Sequence, residues 1–233
     1  MYDNFSSQQQ IDMQAGLNTY ISKIFGRMFI GLFVTALAAL LTVTNVQLFY
    51  LFVGTPLMFV LLIAELVIVF SLSARLNKIS YTTAQIMFYA YAIINGITLS
   101  SIFVVYDLGT IYTAFFTTAV AFGVMSIYGL VTKKDLTKIG SMFTMLLIGI
   151  IIASLVNLFI RSSQFDLIIS FAAVAIFVGL VAFDTQKLKG FYYASLNDYQ
   201  MQRKIGIIGA LSLYLDFINI FLYLLRIFGN RRD

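Results

Sequence analysis

LYLDFINIFLYLLRIFG, residues 213–229, is hydrocarbon almost throughout, yet it carries Asp216, Asn219 and Arg226. Extended back to Gly206, the run is long enough to span a bilayer, for which about 20 apolar residues are needed. Gly209, Ser212, Asp216, Asn219, Tyr223 and Arg226 follow one another along it at intervals of three or four residues. At 3.6 residues per turn these side chains share one face. The distance from Gly209 to Arg226 is about 25 Å at 1.5 Å per residue. A polar stripe therefore covers most of the hydrocarbon thickness, and a helix that carries one belongs at the centre of a bundle, away from lipid. For Gly209, Ser212 and Asn219 the plain account is helix packing through small and polar residues. A carboxylate at that depth costs about 3 kcal/mol or more to insert, so Asp216 is a functional candidate.

The rest of the chain supports a polytopic membrane protein. Of its 233 residues, 61% are hydrophobic and 11% charged, against about 25% charged in an average soluble domain. Seven segments satisfy the length rule, at residues 24–44, 56–76, 83–105, 110–132, 140–160, 166–186 and 206–228. The expected fold is an all-α integral membrane protein of seven transmembrane helices, with the last central and surrounded by the other six. Residues 1–23 are expected to form a polar cytoplasmic tail, 24–229 a single membrane domain and 230–233 a basic tail. The longest connection is expected between the sixth and seventh segments, in QKLKGFYYASLNDYQMQRK. The N-terminus has no basic region ahead of an apolar core, so it does not resemble a cleavable signal peptide. With no tryptophan in the chain, Tyr and Phe are left as interfacial anchors.

Histidine and cysteine are both absent. This excludes disulfides, thiolate chemistry, Cys/His metal centres and serine–histidine triads. No enzyme activity and no cofactor are expected, and any pH response must come from carboxylates. The net charge of +5 reflects topology, not nucleic-acid binding. Lys23, Arg27, Arg75, Lys78, Lys133, Lys134, Lys138, Lys187, Lys189, Arg203 and Lys204 all fall on the N-terminal side of the seven crossings. The opposite loops hold Arg161 alone, with Arg226, Arg231 and Arg232 at the C-terminal end. The positive-inside rule then places the N-terminus in the cytoplasm and, after seven crossings, the C-terminus outside a plasma membrane. The basic ending GNRRD pulls the other way and would suit a re-entrant last segment.

Asp107 and Asp166 sit at the outer ends of spans, where water is close. Asp184, in VAFDTQKLKG, lies near the inner end of the sixth segment. It is either a solvated acid beside Lys187 or a partner for Asp216 on the adjacent seventh helix. Two carboxylates in one poorly solvated site cannot easily both ionise, so they share a proton. Such a pair is a proton switch that needs no histidine. Glu65, the only glutamate, lies midway along the second segment. It needs either a partner from elsewhere, with Arg226 the candidate, or a proton and a backbone carbonyl. Arg75, at the inner end of that segment, is either a positive-inside anchor or a removable salt bridge closing over the acidic pair. In the third segment Tyr91, Asn95, Thr98 and Ser101 share a face, and Gly96 permits close packing.

YAIINGITLSSIFVVY, AFDTQKLKG and LSLYLDFINIFLYLLRIFG together resemble the Bax inhibitor motif (TMBIM) family, in its bacterial branch. The likeness runs from about Phe25 to Gly229. The resemblance implies seven helices with the last at the centre, and a pH-sensitive calcium leak. It implies that Asp184 and Asp216 are the paired-aspartate proton sensor and weak, transient calcium site, that Arg75 is the latch, and that Glu65 and Arg226 form a second acid–base pair. Calcium is a hard cation suited to carboxylate oxygens, and permeation requires weak binding.

The expected function is a cation leak channel or transporter gated by the aspartate pair, with the bilayer, protons and calcium as partners. One alternative is a regulatory protein acting on membrane proteases or cell-death machinery through membrane protein partners, without transport. Another is a proton-coupled small-solute transporter. An intramembrane aspartyl protease fits poorly, because Asp216 is preceded by LYL where that class carries GxG, and the sole proline lies in TPLM.

Overall fold

The structure is a computed structural model that describes residues 7–229. Among the described residues every regular element is a helix, with no strand. The helices are α1 (Ser7–Thr44), α2 (Val46–Phe52), α3 (Pro56–Ala74), α4 (Tyr81–Leu99), α5 (Ile102–Val105), α6 (Leu108–Val131), α7 (Thr137–Ile160), α8 (Ser163–Ala194) and α9 (Tyr199–Phe228). Seven of the resulting segments are long and apolar enough to cross a membrane, with α4 and α5 forming one span. The expected tails at residues 1–6 and 230–233 lie outside the described residues.

Local chemistry sets the helix starts. Asn45, Ser80, Asp107, Ser162 and Asp198 are N-caps whose side chains accept from the backbone N–H groups of Leu48, Thr83, Thr110, Phe165 and Met201. Each cap satisfies a donor that has no partner within its helix. Pro56 starts α3 at a position where its missing N–H does no harm. The break between α4 and α5 follows three hydroxyls bonded back to their own helix. Thr98 donates to Asn95 O at 2.9 Å, Ser100 to Ile97 O at 2.7 Å and Ser101 to Thr98 O at 3.0 Å. Such back-bonding competes with the regular helical ladder.

Two expected boundaries are corrected. Residues 7–23 are not a loose tail; they extend the first span as continuous helix, with Leu17, Tyr20 and Ile21 buried. The long connection expected at residues 186–204 shrinks to Ser195–Asp198, because α8 and α9 both run on beyond the apolar core. Hydropathy marks where hydrocarbon stops, not where a helix does. Leu188, Tyr192 and Ile207 give these extensions an apolar side to bury. α9 is one unbroken helix of 30 residues, so the last segment is not a re-entrant hairpin.

Burial differs sharply among the spans. The most apolar window of α9 is 67% buried, while those of α3 and α7 are 6% buried. α9 packs against α8, α6, α1 and α4, whereas α3 packs mainly on α4 and α7 on α8. The expected ring of six around α9 is thus four immediate neighbours with α3 and α7 flanking them. Phe59, Phe70, Met145 and Phe159 lie bare on these flanking helices, as lipid-facing side chains do. Close contacts rest on small residues. At Gly96, where α4 crosses α1, a Cβ would lie 2.7 Å from the Ala38 Cβ and collide with the Thr35 carbonyl.

Candidate functional site

Asp216 lies on the buried side of α9, with 5% of its surface exposed. Its Oδ2 is buried and has no hydrogen-bond partner among the described residues. The ionisable group that acts on it is Asp184 of α8. The depth of the pair follows from packing. A Cβ at Gly209 would meet Leu188 Cδ2 at 2.7 Å, so these residues stand at nearly the same level. Counting inward at 1.5 Å per residue, Asp184 is about 6 Å deeper and Asp216 about 10 Å deeper. The two residues therefore lie within about one turn of each other in depth, on helices that pack together. Lys187, one turn along α8, acts on Asp184, but its ammonium lies 5.6 Å and 5.3 Å from the ring centroids of Phe183 and Phe191. On α6 and α8, the hydroxyls of Ser126 and Thr185 are likewise buried without partners among the described residues. The interior of α6, α8 and α9 thus holds several polar atoms that lack partners among the described residues.

On the N-terminal side of Asp184, the connection between α6 and α7 is tied to α8. Gln186 accepts from Leu136 N at 2.9 Å and donates to Lys134 O at 2.8 Å. Lys189 donates to the Leu130 carbonyl. AFDTQKLKG therefore does more than present Asp184: its Gln and second Lys hold the α6–α7 connection down against α8. The backbone-bonding role of Gln186 left no periodic signal in the sequence.

Toward the other end, the stripe continues. Asn219 is half-buried and donates to Leu215 O at 2.8 Å. Tyr223 stacks on Phe177 with centroids 6.1 Å apart. Ser212 is half-buried on the same face. The stripe ends at a cleft of about 1380 Å³ lined by Tyr223, Arg226, Asp166, Arg161 and Asn157 among others.

Two expected pairings are corrected. Arg226 pairs with Asp166 at 3.5 Å, the only ion pair among the described residues, and not with Glu65. Glu65 lies about 13 Å in from the start of α3, while Arg226 lies about 3 Å from the end of α9 at the same face of the bundle. Their levels do not match. Glu65 instead accepts from Thr98 Oγ1 at 2.8 Å and Asn95 Nδ2 at 3.3 Å. Asn95 Oδ1 accepts from the Tyr214 hydroxyl at 2.9 Å, and Tyr214 Oη lies 2.6 Å from Thr35 Oγ1. A polar chain thus joins α3, α4, α9 and α1 through the apolar core. Tyr214 and Thr35 were missed in the sequence, where each looks like a single polar residue in an apolar run. Arg75 is also not at the aspartates. It is the exposed C-cap of α3 and has no ion pair among the described residues, because α3 packs on α4, away from α8.

A family profile described as "Inhibitor of apoptosis-promoting Bax1" matches residues 17–233. The chain belongs to the Bax inhibitor-1-like family. Within that family it is 44% identical to inner membrane protein YbhL of Escherichia coli K12, over 97% of each chain. It is 42% identical to protein RP147 of Rickettsia prowazekii, over 94% of this chain and 92% of the relative. It is 41% identical to a protein of Borreliella burgdorferi over the full length of both. These likenesses run end to end, so all seven spans and both aspartate-bearing helices fall within the shared family region.

Proposed function

We propose that the chain is a proton-gated cation leak pathway of a bacterial inner membrane, with Ca²⁺ as cargo and the Asp184–Asp216 pair as its gate. One observation carries the reading: Asp216 sits in the bundle interior with an oxygen that has no hydrogen-bond partner among the described residues, and the ionisable group that acts on it is a second carboxyl, Asp184. When the pair holds protons it is neutral and offers a cation nothing. When it loses them, two carboxylates face each other at low dielectric and are stabilised by a divalent cation passing between them. Among the described residues no three acidic side chains converge. Two carboxylates fall short of the six to eight oxygens that Ca²⁺ takes, so the ion would keep water and leave readily. The 1380 Å³ cleft serves as the outer mouth, and the loop held by Gln186 closes the inner side. The inner-membrane setting rests on the name of YbhL, and the cytoplasmic N-terminus on the basic residues of that face.

Ca²⁺ flux into proteoliposomes across a pH series tests this. Wild-type flux should rise with pH, while Asp216→Asn and Asp184→Asn give a flat profile. Flux that keeps its pH dependence in both variants would sink the proposal. A second reading, regulation of a membrane partner without transport, draws support from the family description. It predicts no Ca²⁺ flux from the purified protein at any pH.

A further inference from the structure

The N-terminal face carries a second feature that the aspartate pair does not use. A cleft of about 490 Å³ opens where α1, α4, α8 and α9 meet, at and beyond the level of Gly209 and Leu188. That volume lies within the range of small-molecule sites. Lys23 and Arg27 come from α1, Tyr81 from α4 and Arg203 from α9, and among the described residues no acidic side chain lines the cleft. The Arg203 guanidinium lies 3.7 Å from the centroid of the Tyr81 ring. Arg27 donates to the Tyr81 hydroxyl at 3.2 Å, with its guanidinium 5.6 Å from the same ring. One tyrosine therefore holds two arginines beside each other. Among the described residues the only ion pair is at the opposite end of the bundle, so no described carboxylate pairs with this positive charge.

An independent observation points the same way. Tyr20 lines the cleft, is 8% exposed, and its hydroxyl is buried with no hydrogen-bond partner among the described residues. Its neighbour Tyr192, with ring centroids 5.6 Å apart, already donates to Met13 O at 3.3 Å. A buried hydroxyl left unpaired costs about as much as a lost hydrogen bond. A cluster of cations beside an unused neutral donor is a site built for an anion.

We propose that this cleft binds an anionic phosphate group, with Arg27, Arg203 and Lys23 supplying charge and the Tyr20 hydroxyl a neutral donor. Guanidinium geometry suits phosphate, since paired N–H groups match two of its oxygens. At the membrane boundary the group can arrive on an anionic lipid headgroup or on a soluble phosphate ester.

The test uses the full-length protein and separates those sources. In the soluble arm, glycerol 3-phosphate is titrated calorimetrically into protein held in phosphatidylcholine nanodiscs. In the lipid arm, native mass spectrometry compares retention of phosphatidic acid and phosphatidylcholine. Saturable binding is expected in at least one arm, and the responding arm names the source. The Arg27→Gln/Arg203→Gln double variant should weaken it by about tenfold or more, as expected for losing charged hydrogen bonds. Tyr20→Phe keeps the ring and should weaken it several-fold. Lys138→Gln, a basic residue of the same face outside the cleft, should leave it unchanged. The proposal is overturned if neither arm shows saturable binding, if Tyr20→Phe binds as wild type, or if Lys138→Gln weakens binding as much as the double variant. If the arginine variant does not fold, Tyr20→Phe and Lys138→Gln decide the matter.

Discussion

Replacing Tyr214 by Phe removes one oxygen and nothing else, which makes it a clean probe of the polar chain through the core. Tyr214 is fully buried. Its ring sits edge-on to Phe88 and Tyr91, with centroids 5.9 Å and 5.7 Å away, and Phe would keep both contacts. What is lost is the 2.9 Å bond to Asn95 Oδ1 and the 2.6 Å contact with Thr35 Oγ1. A hydrogen bond between membrane helices contributes about 0.6 kcal/mol on average. Leaving a buried acceptor unpaired costs more, about 1–3 kcal/mol, and Asn95 Oδ1 would be left in that condition. The expected loss is therefore about 1–2 kcal/mol, between those two figures. For a chain of this size it lowers the melting midpoint by about 2–8 °C. The assay is thermal unfolding in detergent, with Tyr91→Phe as control, because the Tyr91 hydroxyl makes no hydrogen bond among the described residues. If the two variants melt alike, the chain from Glu65 to Thr35 does not stabilise the bundle and the reasoning fails.

Two further outcomes are expected. Gln186→Ala should release the loop between α6 and α7, raising hydrogen exchange at Leu136 N and trypsin cleavage after Lys133 and Lys134; unchanged protection would mean that Gln186 does not hold the loop. Hydrogen bonds from Thr110 hold the Asp107 carboxyl below the usual carboxylate range, so its capping of α6 is fully present above the unfolded-state value and is lost as pH falls through the lower folded one. Exchange at Thr110 N should stay slow through the ordinary carboxylate range and quicken only below it, a pattern that Asp107→Asn would abolish.

The seven crossings were legible because a bilayer imposes one length on every span, and hydropathy reports that length directly. The stripe on α9 was legible for a related reason: intervals of three and four residues need only a helix to be converted into a face. Partners were harder. Glu65 and Arg226 looked complementary as charges, but pairing across helices requires equal depth and contact, and hydropathy gives neither. Asp166 could have been found, since it opens α8 at the face where α9 ends, so topology alone sets it level with Arg226. The polar ends of α1, α8 and α9 read as tail and loop in the sequence because a helix that has left the hydrocarbon carries loop-like residues. Gln186 and Tyr214 gave no warning, since each acts through bonds to segments about 50 and 120 residues away.

Helix length leaves the molecule lopsided. α3, with 19 residues, is about 28 Å long, barely the thickness of the hydrocarbon. α1, with 38 residues, and α8 and α9, with 32 and 30, reach about 57, 48 and 45 Å. At one face α7 passes into α8 through Arg161 and Ser162 alone, so little of the surplus can lie there. It gathers on the N-terminal face as a collar of three helices standing proud of the membrane. The collar decides what is met first on that side: a solute or membrane-bound neighbour touches the amides and carboxylates of Gln8, Asp12, Asn197 and Asp198 at its tip, then the tyrosines and arginines of the cleft, before it reaches lipid.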